Sequence, residues 1–80
     1  MTRELIYTRI KEILRRELNV SGSYISESAE LAFDLGADSL DIVDIVIDLD
    51  DAFHIDITNE EKDALHTVKD CIDIVERKLA

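Results

Sequence analysis

The segment Asp34-Leu35-Gly36-Ala37-Asp38-Ser39-Leu40-Asp41 holds the residues with the clearest chemical potential in this 80-residue chain. A loop containing Gly36 delivers Ser39 to the start of an acidic helical stretch, where a hydroxyl is open to solvent. A phosphate joined to that oxygen would face the orphan N–H groups and positive dipole end of the helix, so a phosphodiester is well tolerated there. The plainer reading of the same spacing is that Asp38 or Ser39 merely caps the helix, the commonest reason for such residues at such a position. Nucleophilic catalysis by Ser39 would need a positioned base and an oxyanion hole. Gly36-Ala37-Asp38-Ser39-Leu40 does not match the G-x-S-x-G elbow, so no catalytic residue is assigned.

The other reactive side chains are dispersed. His54 and His66 flank predicted helix ends, where a helix-end or surface role is the better reading. With Cys71 they lack the close paired spacing of zinc motifs, so no metal site is assigned. Asp48-Leu49-Asp50-Asp51 offers oxygen ligands without the glycine or terminal Glu of a calcium loop, and loose counterion binding is expected there. Cys71 lies on an apolar helix face, where an unpaired cysteine packs as a small hydrophobe.

These residues must be placed by helices, because no proline and only two glycines interrupt an apolar spacing that is helical through most of the chain. A first helix is predicted from about Arg3 to Leu18, with Ile6, Ile10, Ile13, Leu14 and Leu18 on one face and Glu4 near its start. Residues 19–37 form a long loop pinned by Ile25, Leu31 and Phe33, with a short helical turn around Ser28 to Phe33 as the alternative for part of it. A second helix runs from Asp38 or Ser39 to about Phe53. Its core arc is Ile42, Ile45, Val46, Leu49 and Phe53; Leu40, Val43 and Ile47 form a second, exposed arc shared by Asp44 and Asp51 and flanked by Asp41 and Asp48. Thr58 with Glu61, and Thr67 with Asp70, resemble capping boxes opening a short third helix and a fourth. In the fourth, Val68, Cys71, Ile72, Val75 and Leu79 are the expected core contacts, and Arg77 and Lys78 suit its carboxyl end.

Composition bounds the function. A chain of this length supports one domain, residues 1–80, with a small core that is mainly Ile, Leu and Val and contains no Trp. Nineteen acidic against nine basic residues give a net charge of -10, which repels nucleic acid and anionic membranes and attracts basic protein patches. One cysteine cannot form an internal disulfide, no signal peptide is visible, and no run approaches the roughly 20 apolar residues of a membrane span. A cytoplasmic location is expected.

Leu35 to Asp41 resembles the attachment motif of acyl carrier proteins, in which Asp-Ser-Leu follows Leu-Gly and begins the second helix. The resemblance continues through the leading amphipathic helix, the long loop, the acidic second helix ending in Phe53, Ile55-Asp56-Ile57 and the closing helix after Thr67-Val68. It implies an all-α, four-helix bundle with a long first loop and a short third helix, of the free-standing bacterial type. It implies that Ser39, within the motif residues Asp38 and Leu40, takes 4'-phosphopantetheine from coenzyme A through a separate magnesium-dependent transferase. The acyl group would then ride as a thioester on the arm's thiol, not on Cys71.

A tethered substrate gains a high effective concentration at each enzyme that docks its carrier, and docking must be reversible. Asp38, Leu40, Asp41, Val43, Asp44, Ile47 and Asp48 are the expected docking surface, its carboxylates steering basic enzyme patches and its apolar strip fixing register. The expected partners are the phosphopantetheinyl transferase and acyl-transferring and chain-elongating enzymes, with the carrier itself a monomer. Thr58 stands where the family usually has proline, Asp48 and Asp50 enrich the second helix in Asp, and His54 and His66 occupy positions that often differ. These departures would suit a carrier dedicated to a specialised pathway. The competing class is a non-catalytic acidic interaction domain that keeps the fold without the arm; a small enzyme, which would turn over substrate without partners, is the third.

Overall fold

Apolar residues at three- and four-residue steps build α1 over Arg3–Leu18, the bounds expected from the sequence. Thr2 caps it by accepting the Leu5 N–H at 3.2 Å, with Glu4 in the first turn and Arg15 and Arg16 in the last, each sign matched to the helix dipole. Asn19 ends it in the left-handed region, at φ 53°. The structure is a computed structural model describing all residues from Met1 to Ala80.

α2 spans Ser39–Phe53, α3 Asn59–Asp63 and α4 Val68–Leu79. Thr58 and Thr67 do cap the last two, each in a reciprocal box with the acidic residue three positions on. Thr58 therefore supplies a side-chain oxygen to the Glu61 N–H, at 3.1 Å. α1 packs on both α2 and α4, and α2 also meets α3 and α4.

The long connection between α1 and α2 contains a 3-10 turn at Gly22–Tyr24. A helical turn also forms in it over residues 31–35, displaced by a few positions from the expected one. The buried side chains form one cluster that includes Ile6, Ile10, Leu14, Ile45, Leu49 and Ile72, with no buried charged or polar residue. Each large aliphatic buried there stabilises the fold by about 1.5–3 kcal/mol before entropy is counted.

Two expectations about the core are corrected. Phe33 does not pin the loop: its ring is 85% exposed, and Ile25 and Leu31 do the anchoring. Leu79 is exposed, because it lies in the last turn of α4, beyond the reach of the core. Ile74, absent from the expected core, is buried on the flank of α4 and shares a groove with Ala64 and Leu65.

Candidate functional site

Ser39 is presented by a braced turn. The Asp34 and Leu35 N–H groups both donate to the Glu30 carbonyl, and the Asp34 carboxylate accepts the Glu30 N–H at 2.8 Å. Gly36 then reverses the chain at φ 75°, its N–H donating to the Ala32 carbonyl at 3.0 Å, as a left-handed helix cap does. Leu31, Leu35 and Ala37 are buried, and Leu31 N–H reaches the His66 carbonyl at 2.8 Å while Val68 N–H reaches the Ala29 carbonyl at 3.0 Å. The loop is thus stitched to the start of α4.

Capping at α2 falls to Asp38. Its carboxylate accepts the Asp41 N–H at 2.9 Å, and the Asp41 carboxylate accepts the Asp38 N–H at 3.0 Å. Ser39 is therefore the first helical residue, exposed, with its hydroxyl released from capping duty. A phosphate ester on that oxygen sits at the positive end of α2.

A cleft of about 350 Å³ opens beside Ser39. Leu31, Ala37, Ile42 and Leu65 give it an apolar lining, and Lys62 and His66 stand among its polar residues. An accessible hydroxyl at a helix start beside a partly apolar cleft fits a phosphodiester-linked arm with an apolar load.

Leu40 and Ile47 are 75% and 52% exposed, and with Val43 they make the expected strip along α2. Asp44 and Asp51 are exposed. Asp48 turns toward α1, where it meets Arg16 at 3.4 Å, so it borders the strip rather than lying in it. Burial first, then the charge and hydrogen bond of Asp48 and the charge of Asp44, push the Glu17 carboxyl above its usual range. Asp50 points elsewhere, accepting the Ile57 N–H at 3.0 Å.

The remaining reactive groups have structural places. His54 is the left-handed cap of α2 at φ 54°, and the His66 backbone bonds both Leu31 and Asp70. Cys71 is fully buried, and burial pushes its thiol up to about 12. No cluster of three or more His, Cys, Asp or Glu side chains has the geometry to hold a metal ion. No helix is long and apolar enough to cross a membrane.

Residues 8–75 match the family model described as the phosphopantetheine attachment site. The acyl carrier protein of Thermotoga maritima is 38% identical over 78 residues, covering 98% of this chain and 96% of that protein. The chain belongs to the acyl carrier proteins. That of Wolinella succinogenes is 39% identical over 71 residues, covering 89% of this chain and 93% of its own. A crystal structure of the Thermotoga maritima acyl carrier protein superposes with a TM-score of 0.83 at 32% identity, covering 96% of this chain and 89% of that one. The all-helical, four-helix architecture is accordingly that of an acyl carrier protein. Carriers of this family hold acyl intermediates on a phosphopantetheine arm and are not themselves enzymes; they work with a phosphopantetheinyl transferase and with biosynthetic enzymes.

Proposed function

We propose that Ser39 is the residue that carries the arm, with Asp38 and Leu40 completing the attachment motif. The observation that carries this is the Asp38–Asp41 capping box: it fixes the start of α2 without using the Ser39 hydroxyl, which stays exposed at the mouth of the cleft. When attached, the arm supplies a terminal thiol for thioester formation. Ser39 Oγ supplies the ester oxygen, losing its proton to the transferase as it bonds the phosphorus of coenzyme A and displaces the adenosine bisphosphate portion. The apolar lining at Leu31, Ala37, Ile42 and Leu65 suits an acyl chain folded back beside the arm.

Residues 1–80 act as a single carrier domain, monomeric and cytoplasmic, serving fatty-acid synthesis or a related lipid or polyketide pathway. Asp38, Leu40, Asp41, Val43, Asp44, Ile47 and Asp48 form the face that its enzymes engage through basic patches. Exposure of the apolar strip among carboxylates supports this, since an apolar strip sets register while the charges speed encounter. Intact mass spectrometry after incubation with coenzyme A, magnesium and a broad-specificity phosphopantetheinyl transferase tests the assignment. The parent gains one phosphopantetheine unit and Ser39→Ala gains none; a gain by the variant would place the arm elsewhere.

A further inference from the structure

Phe33 is the most exposed of the large apolar side chains. The backbone that carries it is held on both sides, by buried Leu31 and Leu35, by the Asp34 carboxylate on the Glu30 N–H, and by the bond from Leu31 to His66. An exposed ring contributes little to the hydrophobic gain of folding, so the fold does not account for it. Because that backbone is already held, covering the ring costs only the ring's own rotamer freedom and no ordering of the loop.

Its position and surroundings say what that surface is. Phe33 lines the same cleft as Ser39, so an enzyme reaching the Ser39 hydroxyl comes close to the ring. Glu30, Asp38 and Asp63 line that cleft too, Asp34 is the next residue in the chain, and Lys62 is the one Lys or Arg among the lining residues. An aromatic ring edged by carboxylates matches an apolar socket rimmed by Lys or Arg. A second copy of this chain is a poor occupant, because each copy carries a net charge of -10.

We propose that Phe33 is an aromatic anchor for the transferase that modifies Ser39, seating in an apolar, basic-rimmed socket on that enzyme. The inference rests on the docking face proposed for α2 and extends it onto the loop that precedes the helix. Rigid aromatics near the centre of an interface are where binding energy concentrates, and Phe33 and Leu40 lie six residues before and one after Ser39 in the chain.

The test is the carrier-concentration dependence of arm transfer by a broad-specificity phosphopantetheinyl transferase, for the parent, Phe33→Ala and Leu40→Ala, with a melting curve for each. Phe33→Ala is expected to raise the KM for the carrier about five-fold and to leave the melting curve in place. A KM unchanged in Phe33→Ala but raised in Leu40→Ala would remove Phe33 from the interface and leave the α2 face standing. A KM unchanged in both would remove the α2 face and this inference together. A lowered melting temperature for Phe33→Ala would mean that the ring packs within the fold, overturning the proposal. Ring resonances of Phe33 give a second readout. They should broaden or shift when the transferase is titrated in without coenzyme A; a shift on going from apo to holo protein with no response to the transferase would assign the ring to the arm instead.

Discussion

The Asp50 carboxylate in the last turn of α2 accepts the backbone N–H of Ile57, seven residues on, at 3.0 Å. The Asp50 carbonyl also takes the N–H groups of His54 and Ile55, so one residue closes the helix and fastens the chain that leads into α3. Ile57 is buried, and its N–H has no other acceptor.

Asp50→Ala leaves that N–H unpaired and is expected to cost about 1 kcal/mol or more, a fall of about 4–8 °C in melting temperature per kcal/mol for a domain of this size. Asp51→Ala, one residue along on the exposed strip, should leave the melting temperature unchanged or raise it by easing repulsion. Thermal denaturation of the two side by side separates the latch from general acidity. Equal shifts in both would remove the role given to Asp50.

Asp50 also shows what the sequence could and could not convey. The four helices are legible because their apolar residues recur with helical period and because Thr58 and Thr67 stand three residues before an acid that closes the capping box. Within α2 the same period sorts Ile45, Val46, Leu49 and Phe53 from Leu40, Val43 and Ile47. It cannot tell which of the five aspartates from Asp41 to Asp51 turns back into the structure, since the partner of Asp50 is a backbone group seven residues away. In the loop no period exists, and Phe33 reads as an anchor only because aromatic residues usually are. Ile74 is off the main stripe of α4, and its burial beside Ala64 and Leu65 comes from tertiary packing that no local period specifies.

The proposed attachment site was more legible than the proposed docking face. Asp38, Ser39 and Leu40 follow a glycine that needs the left-handed region, and local chemistry alone places the serine at the helix start. The competition between Asp38 and Ser39 for the cap is settled by the reciprocal Asp38–Asp41 box, in favour of Asp38. The pairing of Asp48 with Arg16 depends on how α1 packs against α2, which no local pattern specifies.

Stability should fall in acid partly through Glu61. Its carboxylate is held at about 2, by the Lys78 ammonium at 2.8 Å first and then by the Thr58 N–H at 2.9 Å. A folded-state value below the unfolded one means that stability is fully present above the usual value of 4.5 and is lost as the pH falls toward about 2. The melting-temperature gap between the parent and Glu61→Gln should therefore be constant from about pH 7 to pH 5 and clearly narrower by about pH 3. Titrations common to both proteins cancel in the difference. A gap of the same size at both ends of that range would show that Glu61 acts by packing alone.

Cys71 should be silent in the native protein. Its thiol is buried and pushed up to about 12, so little thiolate exists near neutral pH and a reagent must wait for the chain to open. The apo protein should react slowly with an aromatic disulfide at about pH 8, and at once in denaturant. After arm attachment one thiol should react rapidly, with the slow one unchanged, and Cys71→Ala should retain only the fast reaction. Rapid labelling of the native apo protein would contradict the burial and would reopen Cys71 as a reactive group.

Salt should stabilise the protein. With nineteen acidic residues against nine basic ones, the excess carboxylates repel one another in the compact state. Screening also weakens ion pairs, chiefly the Arg3 guanidinium with Glu27, Asp73 and Glu76 at 2.9–3.2 Å. Those pairs are partly exposed, and such pairs contribute only about 0–1 kcal/mol each. Relief of repulsion should win, so the melting temperature is expected to rise as sodium chloride increases from about 10 mM to about 0.5 M, where the Debye length has shrunk to a few ångströms. Magnesium should act at lower concentration because it neutralises two charges at once. A fall with salt would mean that the Arg3 cluster outweighs the acidic excess, and Arg3→Gln would then abolish most of that fall.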